Sequence, residues 1–429
     1  MIRQHLRQAW TMMKQHRLFT GIYITGTAVS IALTMVLFIV FYITLGNIYP
    51  EYKRDRMLII SEETHRKDNE KYGDIGHFDI DFVEMLKRET KHLEHIAIYD
   101  IYKQAGTDYI TVDGKQIEIE KNASAVDAGW WQLFDYNFID GRGFTEKEMH
   151  ENVAVISETL AMQLFASTKV AGKEITINGK HHRIAGVVER VTKCTPNTYG
   201  DIWISINSPF ASKHTYSILN GEKYYAIFAV AKEGKREALR KEIEQLFQRY
   251  YQQHGDSKCT YTLKMRDHWH QALYLDQDES VWDAIRIYFY VIIAILFIPA
   301  LNLSGMISSR TNGRMVEVGV RRAYGATKRQ IVSQVLFENG VLTFIGAVVG
   351  LLLSYAIVYI FSYHVTTILD SYISFSKDSG NQLSVEMLFN TTIFLCTLLL
   401  TALLNVASAL VPTLLALRKD IVQALYQKR

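Results

Sequence analysis

Glycine-lysine pairs, histidine clusters and cysteines are where this 429-residue chain could do chemistry. Gly172-Lys173 and Gly325-Ala326-Thr327-Lys328 set lysine near glycine, but no G-x-x-x-x-G-K-[ST] loop occurs, so the chain has no phosphate cradle of its own. His181-His182 and His268-Trp269-His270 lack both a zincin's i, i+4 spacing and a nearby cysteine pair, and they read as surface histidines. No G-x-S-x-G elbow presents a serine nucleophile. The three cysteines make no disulfide framework. Cys396 lies in an apolar run, while a Cys194–Cys259 bridge is open to a domain outside the cytoplasm, with free buried thiols the expected state. These patterns argue against an enzyme, and no metal or cofactor site is expected.

The informative polar stretch is Arg314-Met315-Val316-Glu317-Val318-Gly319-Val320-Arg321-Arg322-Ala323-Tyr324. It reads as a short amphipathic helix, with Met315, Val318 and Arg322 on one face and Glu317 able to pair with Arg321 at i, i+4. Gly325 supplies a stop, and Thr327 with Gln330 forms a capping box that starts the next helix. Such a segment fits a partner's groove, and it equally fits a basic loop held against anionic lipid headgroups.

Four long runs must position that stretch. No Asp, Glu, Lys or Arg occurs in 18–45, 287–309, 339–369 or 387–417. A bilayer core needs about 20 apolar residues in helical form, because backbone polar groups must find partners within the segment. The first run follows a basic start but far exceeds a signal-peptide core of about 7–15 residues, so a retained anchor is expected. Lys and Arg crowd the N-terminal segment, the loop after the second run (Arg310, Arg314, Arg321, Arg322, Lys328, Arg329) and the tail. Both termini are therefore expected inside, and the large region 46–283 outside.

Ile2, Leu6, Trp10 and Met13 recur at helical spacing before the first run, as an amphipathic helix on the inner leaflet or a plain extension of the span. Gly346 and Gly350 form a GxxxG in the third run, and Gly21/Thr25 and Gly26/Ser30 give similar small faces in the first, all candidates for helix packing. Pro299 and Asn302 interrupt the second run, and the amide is expected to face protein.

Region 46–283 is too long for a loop and has its own core pattern. Strands are expected at 57–60, 224–230 and 260–263, with helices over 79–92 and 235–253. Asp113-Gly114 and Asn178-Gly179 mark hairpins, the latter between strands at 174–177 and 184–188. The pattern predicts a split α/β subdomain, 50–105 plus 222–270, with a mostly β subdomain inserted. A net charge of +3 is too small to argue for nucleic acid, and five prolines with no low-complexity tract exclude disorder as a description.

The inner segment Glu317-Val318-Gly319-Val320-Arg321-Arg322-Ala323-Tyr324-Gly325-Ala326 resembles the E-I-G-V-R-R-A-x-G-A signature of FtsX/MacB-type ABC transporter permeases. Asn302-Leu303-Ser304-Gly305-Met306 resembles the family stretch that precedes it. Gly141-Arg142-Gly143-Phe144, Val153-Ala154-Val155-Ile156-Ser157 through Leu164-Phe165, and Gly172-Lys173-Glu174-Ile175 through Gly186-Val187-Val188 are similar to the MacB-type periplasmic domain. Pro412, Ala416, Asp420, Ala424 and Leu425 fit the closing pattern, with Ile421 where proline is usual. The likeness covers nearly the whole chain.

This resemblance implies an α-helical membrane protein with four transmembrane helices and a large α/β, porter/sabre-like extracytoplasmic domain between the first and second. Its expected parts are a cytoplasmic helix 1–17, spans 18–45, 284–309, 335–363 and 387–417, and an outer domain 46–283 (porter-like 50–105 and 222–270, sabre-like 106–221). A coupling loop 310–334, a short outer loop 364–386 and a cytoplasmic tail 418–429 complete them. The family implies a second permease chain and a separate ABC ATPase subunit that binds ATP and magnesium. By residue match, Met315, Val316, Glu317, Val318, Gly319, Arg321 and Arg322 are the expected ATPase contacts. Export of a peptide, lipoprotein or small hydrophobic substrate, with a periplasmic adaptor and outer-membrane channel, is the leading expectation. An FtsX-like activator of a cell-wall hydrolase is the alternative, and a membrane receptor without an ATPase is a third.

Overall fold

The computed structural model describes residues 10–11, 13–15, 17–67, 74–76, 78, 80–100, 107–112, 114–120, 123–192, 194–208, 225–255, 257–295, 297, 320, 324–360 and 391–416. Two compact units emerge: Met1–Tyr42 with Trp282–Val365 and Leu383–Arg429, and Ile43–Val281 with Thr366–Gln382.

In the first unit, helix α1 (Arg17–Leu45) comes first, its last three residues belonging to the second unit. Helices α7 (Lys328–Ile360) and α8 (Thr391–Ala416) follow late in the sequence and pack on each other. Among the described residues, Thr20–Leu45 and Arg329–Ile360 are long and apolar enough to cross a bilayer. The 26 residues of α8 carry no charge. Residues 281–295 and 297 are helical, and the rest of the second run, with Pro299 and Asn302–Met306, lies outside the described residues. Helix α7 starts seven residues before the expected span because the capping box forms. The Thr327 amide donates to Gln330 Oε1 at 2.9 Å, and the Gln330 amide donates to Thr327 Oγ1 at 3.3 Å.

The second unit is built on one sheet of 13 strands. The strands are β1 (Met57–Lys67), β2 (Asp74–Gly76), β3 (Leu93–Asp100), β4 (Thr107–Val112), β5 (Lys115–Glu120), β6 (Ala123–Val126), β7 (Phe138–Gly141), β8 (Val153–Ser157), β9 (Glu174–Ile177), β10 (Lys180–Val188), β11 (Ile202–Ser205), β12 (Tyr225–Ala231) and β13 (Cys259–Asp267). Eleven of them run in the order β13-β1-β12-β3-β6-β11-β8-β10-β9-β4-β5, while β2 pairs with β1 and β7 with β10. The first four come from the two flanking stretches and the remainder from the inserted stretch. The insertion thus adds strands to the edge of one sheet instead of forming a separate one.

Local chemistry explains the elements. β4 and β5 pair up to Val112 with Lys115, and Gly114 between them has φ +77°. β9 and β10 turn at Asn178-Gly179, with φ 45° and 78°, the paired positive values of a type I′ hairpin. Helix α2 (Ile80–Glu89) buries Phe82, Val83 and Leu86 on one stripe. Helix α5 (Arg236–His254) answers with Leu239, Ile243, Leu246, Phe247 and Tyr250. Phe82 meets Phe247 edge-on with ring centres 6.0 Å apart. The short helix α3 (Trp130–Leu133) seats Trp130 fully in the core, and α4 (Glu158–Phe165) is started by Ser157, whose hydroxyl accepts from the Leu160 amide at 3.1 Å. Helix α6 (His268–Ala272) follows β13 directly. All three cysteines are free thiols, Cys194 buried and Cys396 exposed.

Two histidines differ from the surface reading. His182 and His268 are buried, at 0% and 3% exposure. Strand alternation turns His182 inward on β10, while His268 enters the core because it is the first residue of α6.

Candidate functional site: the end of the first helix

A helix ends with carbonyls that have no intrahelical partner and with the negative end of its dipole. The last residues of α1 belong to the second unit, and side chains of that same unit take up these groups. Arg54 Nη1 donates to the carbonyls of Ile43 at 2.9 Å and Gly46 at 3.0 Å. His268 Nε2 donates to the Thr44 carbonyl at 2.9 Å. A cation and a neutral imidazole therefore cap the helix, and the cation has the sign the dipole favours.

Arg54 is only 1% exposed, so its charge needs compensation inside the protein. Glu51, equally buried, accepts from Arg54 Nε through Oε2 at 2.7 Å. Its Oε1 accepts from the Thr198 hydroxyl at 2.9 Å, and Arg54 Nη2 donates to the Cys194 carbonyl at 3.1 Å. Burial, with the Arg54 charge beside it, pushes the His268 imidazole down to about 4, so it is neutral at neutral pH.

The cluster gathers residues from both parts of the sheet. Arg54 belongs to the 3-10 turn leading into β1, His268 follows β13, and Cys194 and Thr198 lie between β10 and β11 in the inserted stretch. Around it, Lys53 Nζ reaches Asp135 at 2.6 Å and the Leu133 carbonyl at 3.1 Å. Asn197 and Gln271 exchange amide bonds of 3.2 and 3.0 Å. Tyr136 donates to the Thr198 carbonyl at 2.8 Å and accepts from Trp130 Nε1 at 3.3 Å, its phenol pushed up by burial. The arrangement holds the helix end to two parts of a domain at once.

Within the first unit, α1 and α7 meet at small residues. A Cβ on Gly346 would lie 2.9 Å from the Thr27 Cβ, and one on Gly350 would lie 2.7 Å from the Ala28 carbonyl oxygen. That closeness is what glycine at this spacing permits between helices in lipid. Tyr23 donates to the Thr343 hydroxyl at 3.2 Å, and Thr343 donates to the Asn339 carbonyl at 2.9 Å. A Cβ on Gly26 would meet nothing within 4 Å, and the buried Ser30 hydroxyl donates back to the Gly26 carbonyl at 2.8 Å. Gly346 and Gly350 are thus brought to α1, whereas the Cβ direction of Gly26 points into open space.

Met315, Val316, Glu317, Val318, Gly319, Arg321 and Arg322 lie outside the described residues, as do the loop 364–386, the tail 418–429 and Ile2 and Leu6 of the N-terminal segment. Met13 packs against the Tyr23–Leu342 contact, and Trp10 is 59% exposed. Among the described residues no group of three His, Cys, Asp or Glu side chains could hold a metal. Glu51, Arg54 and His268 were not singled out as a cluster from sequence. The signal was an acid and a base three residues apart at the exit of an apolar run, where neither the bilayer nor a solvated loop requires a fixed ion pair.

Residues 20–246 match the MacB-like periplasmic core domain, and residues 289–421 match the FtsX-like permease C-terminal part. The chain belongs to the MacB/FtsX family of ABC transporter permeases and is a membrane protein with a large α/β domain of the MacB type. It is 25% identical over 241 residues to the uncharacterized ABC transporter permease YknZ of Bacillus subtilis, covering 56% of this chain and 57% of that one. To the pyoverdine export ATP-binding/permease protein PvdT of Pseudomonas aeruginosa it is 24% identical, covering 53% of this chain and 33% of that one. For the macrolide export ATP-binding/permease protein MacB of Chromobacterium violaceum the values are 23%, 58% and 37%. The alignments thus span from a third to little more than half of those relatives' lengths. The solved extracellular domain of the noncanonic ABC-type transporter YknZ covers 48% of this chain and 98% of its own, with 14% identity and a TM-score of 0.35.

Proposed function

We propose that this chain is the transmembrane subunit of an ABC transporter whose ATPase is a separate subunit, and that α1 delivers the ATPase's movement to the outer domain. ATP and magnesium bind the partner, and a second permease chain completes the membrane part. Four spans, at 18–45, 284–309, 335–363 and 387–417, set both termini and the loop 310–334 in the cytoplasm, with 46–283 outside. β1, β3, β12 and β13 form the porter-like part and the inserted stretch the sabre-like part.

One observation carries this reading. The last turn of α1 is fastened by Arg54 and His268, and through Arg54 and Glu51 to Cys194 and Thr198, so a displacement of the helix end reaches both parts of the sheet. A flexible tether would leave those carbonyls to water. The relatives' printed names, which join ATP binding to export, support an exporter of a peptide, lipoprotein or small hydrophobic substrate. A periplasmic adaptor and an outer-membrane channel are the further partners.

The coupling segment provides the test. Glu317→Lys, or a charge reversal at Arg321, is expected to abolish co-purification of the ATPase while membrane insertion is unchanged. A variant that still brings down its nucleotide-binding partner at the normal level removes the coupling assignment. Co-purification of a peptidoglycan hydrolase in place of an adaptor and channel would replace export with hydrolase activation.

A further inference from the structure

The two parts of the sheet join at β3 and β6, whose described residues include the registered pair Tyr99 with Val126. Asp127, the next residue, adds backbone and side-chain bonds across this joint. Its amide donates to the Ile98 carbonyl at 3.2 Å, and its Oδ1 accepts from the amides of Ile98 at 3.1 Å and Trp130 at 3.2 Å. One carboxyl thus binds β3 to the start of α3. Gly129 permits the close approach, since a Cβ there would lie 2.2 Å from the Ile96 carbonyl oxygen. Trp130 then crosses the joint, stacking on Tyr99 with centres 6.0 Å apart and meeting Phe228 edge-on at 5.8 Å.

Asp127 is 3% exposed, and its Oδ2 receives no hydrogen bond among the described residues. From α2, Lys87 Nζ stands 3.8 Å from Oδ2 but also bonds Glu84 at 3.2 Å. From the turn 146–148, Glu146 adds a like charge. Neither β6 (Ala-Ser-Ala-Val) nor α3 (Trp-Trp-Gln-Leu) has a titratable side chain, and Ile98 is flanked on β3 by Ala97 and Tyr99. A buried carboxylate with one distant, shared cation is costly, while a protonated carboxyl keeps both amide bonds and loses the charge. We propose that Asp127 is a pH-sensitive lock on this joint: protonated, it holds the two parts of the sheet together, and its ionisation lets them separate.

Burial raises this carboxyl from an ordinary 3.8 to about 7, with Lys87 opposing. In the closed joint the proton is held more tightly than in the open one. The stabilisation is therefore complete below the ordinary carboxyl value and is lost as pH rises through about 7. Opening should grow about tenfold per pH unit across that window and level off above it.

Amide hydrogen exchange of the full-length permease in lipid nanodiscs reads this directly. Asp127→Asn keeps the shape and the amide acceptor but cannot ionise. At about pH 8, the Ile98 and Trp130 amides of the wild type are expected to exchange at least ~tenfold faster than those of Asp127→Asn, and the two should converge as pH falls to about 3.5, below the ordinary carboxyl value. Equal exchange at both pH values, or the same difference at both, overturns the proposal. The wild type gives a second reading that needs no variant. Protection of Ile98 relative to the Ile60 amide inside the first part of the sheet must fall with a midpoint at or below about pH 7. A pH-independent ratio also overturns it.

Discussion

Arg54→Met is expected to destabilise the outer domain by about 3–5 kcal/mol, the usual cost of removing one partner of a buried ion pair. The loss has two sources. Glu51, at 1% exposure, would lose its buried countercharge and keep the bond from the Thr198 hydroxyl. The carbonyls of Ile43, Gly46 and Cys194 would each lose a donor. The double variant Glu51→Gln with Arg54→Met removes the stranded charge and should recover part of the stability. Thermal unfolding of the detergent-solubilised chain, followed by tryptophan fluorescence, checks both. A single variant no less stable than the double would mean that Glu51 bears no unpaired charge and that the cap holds without Arg54. The same substitution should uncouple the outer domain from nucleotide while leaving ATPase association intact, because Arg54 is remote in sequence from residues 315–322.

The second large effect is expected in the seam between α1 and α7. Gly350→Leu should cost about 1–3 kcal/mol or more through overpacking, and Gly346→Leu somewhat less. The order follows from what each new Cβ meets. At Gly350 the obstacle is the Ala28 carbonyl oxygen, part of a helix backbone that cannot turn aside. At Gly346 it is the Thr27 Cβ at 2.9 Å, fixed by its backbone as the carbonyl is but less close than the 2.7 Å met at Gly350. Gly26→Leu, facing open space, should change little. Melting temperatures of the three variants in one detergent should fall in the order Gly350, Gly346, Gly26, most affected first. Equal melting of Gly350→Leu and Gly26→Leu would remove the seam.

Much of this fold was legible in the sequence because its signals are local. An apolar run the length of a bilayer, or a pair such as Asn178-Gly179 between alternating residues, needs no distant partner to be read. Strands β8 (Val-Ala-Val-Ile-Ser) and β11 (Ile-Trp-Ile-Ser) are buried on both faces along their whole length. They have no alternation, so periodicity cannot separate them from a buried helical turn. The resemblance in 153–157 marked the first of them, where pattern alone did not. β1 runs to Lys67, seven residues past its apolar start, because Glu62 to Lys67 pair along β13. Propensity alone gives Glu, His, Arg and Lys there no reason to be a strand.

The candidate site was harder to read, for a related reason. Arg54 lies 11 residues from the Ile43 carbonyl, 140 from that of Cys194, and His268 lies 224 from that of Thr44. Charges just outside a span ordinarily meet water or headgroups, and only the folded domain removes both. The same holds for His268 and His182, whose burial depends on where the neighbouring elements close over them. Asp127 sits in a stretch where only tertiary packing sets its environment. Gly346 and Gly350 were visible as a motif, yet the identity of the helix they approach was not.

In the proposed arrangement the coupling segment and the outer domain lie on opposite sides of the bilayer, joined by α1. Single cysteines at His150 and Tyr324, both exposed, test it in intact cells with a membrane-impermeant maleimide. Position 150 should be labelled from outside, and position 324 only after the membrane is permeabilised. Labelling of both from outside would place the two segments on one face and contradict the claim.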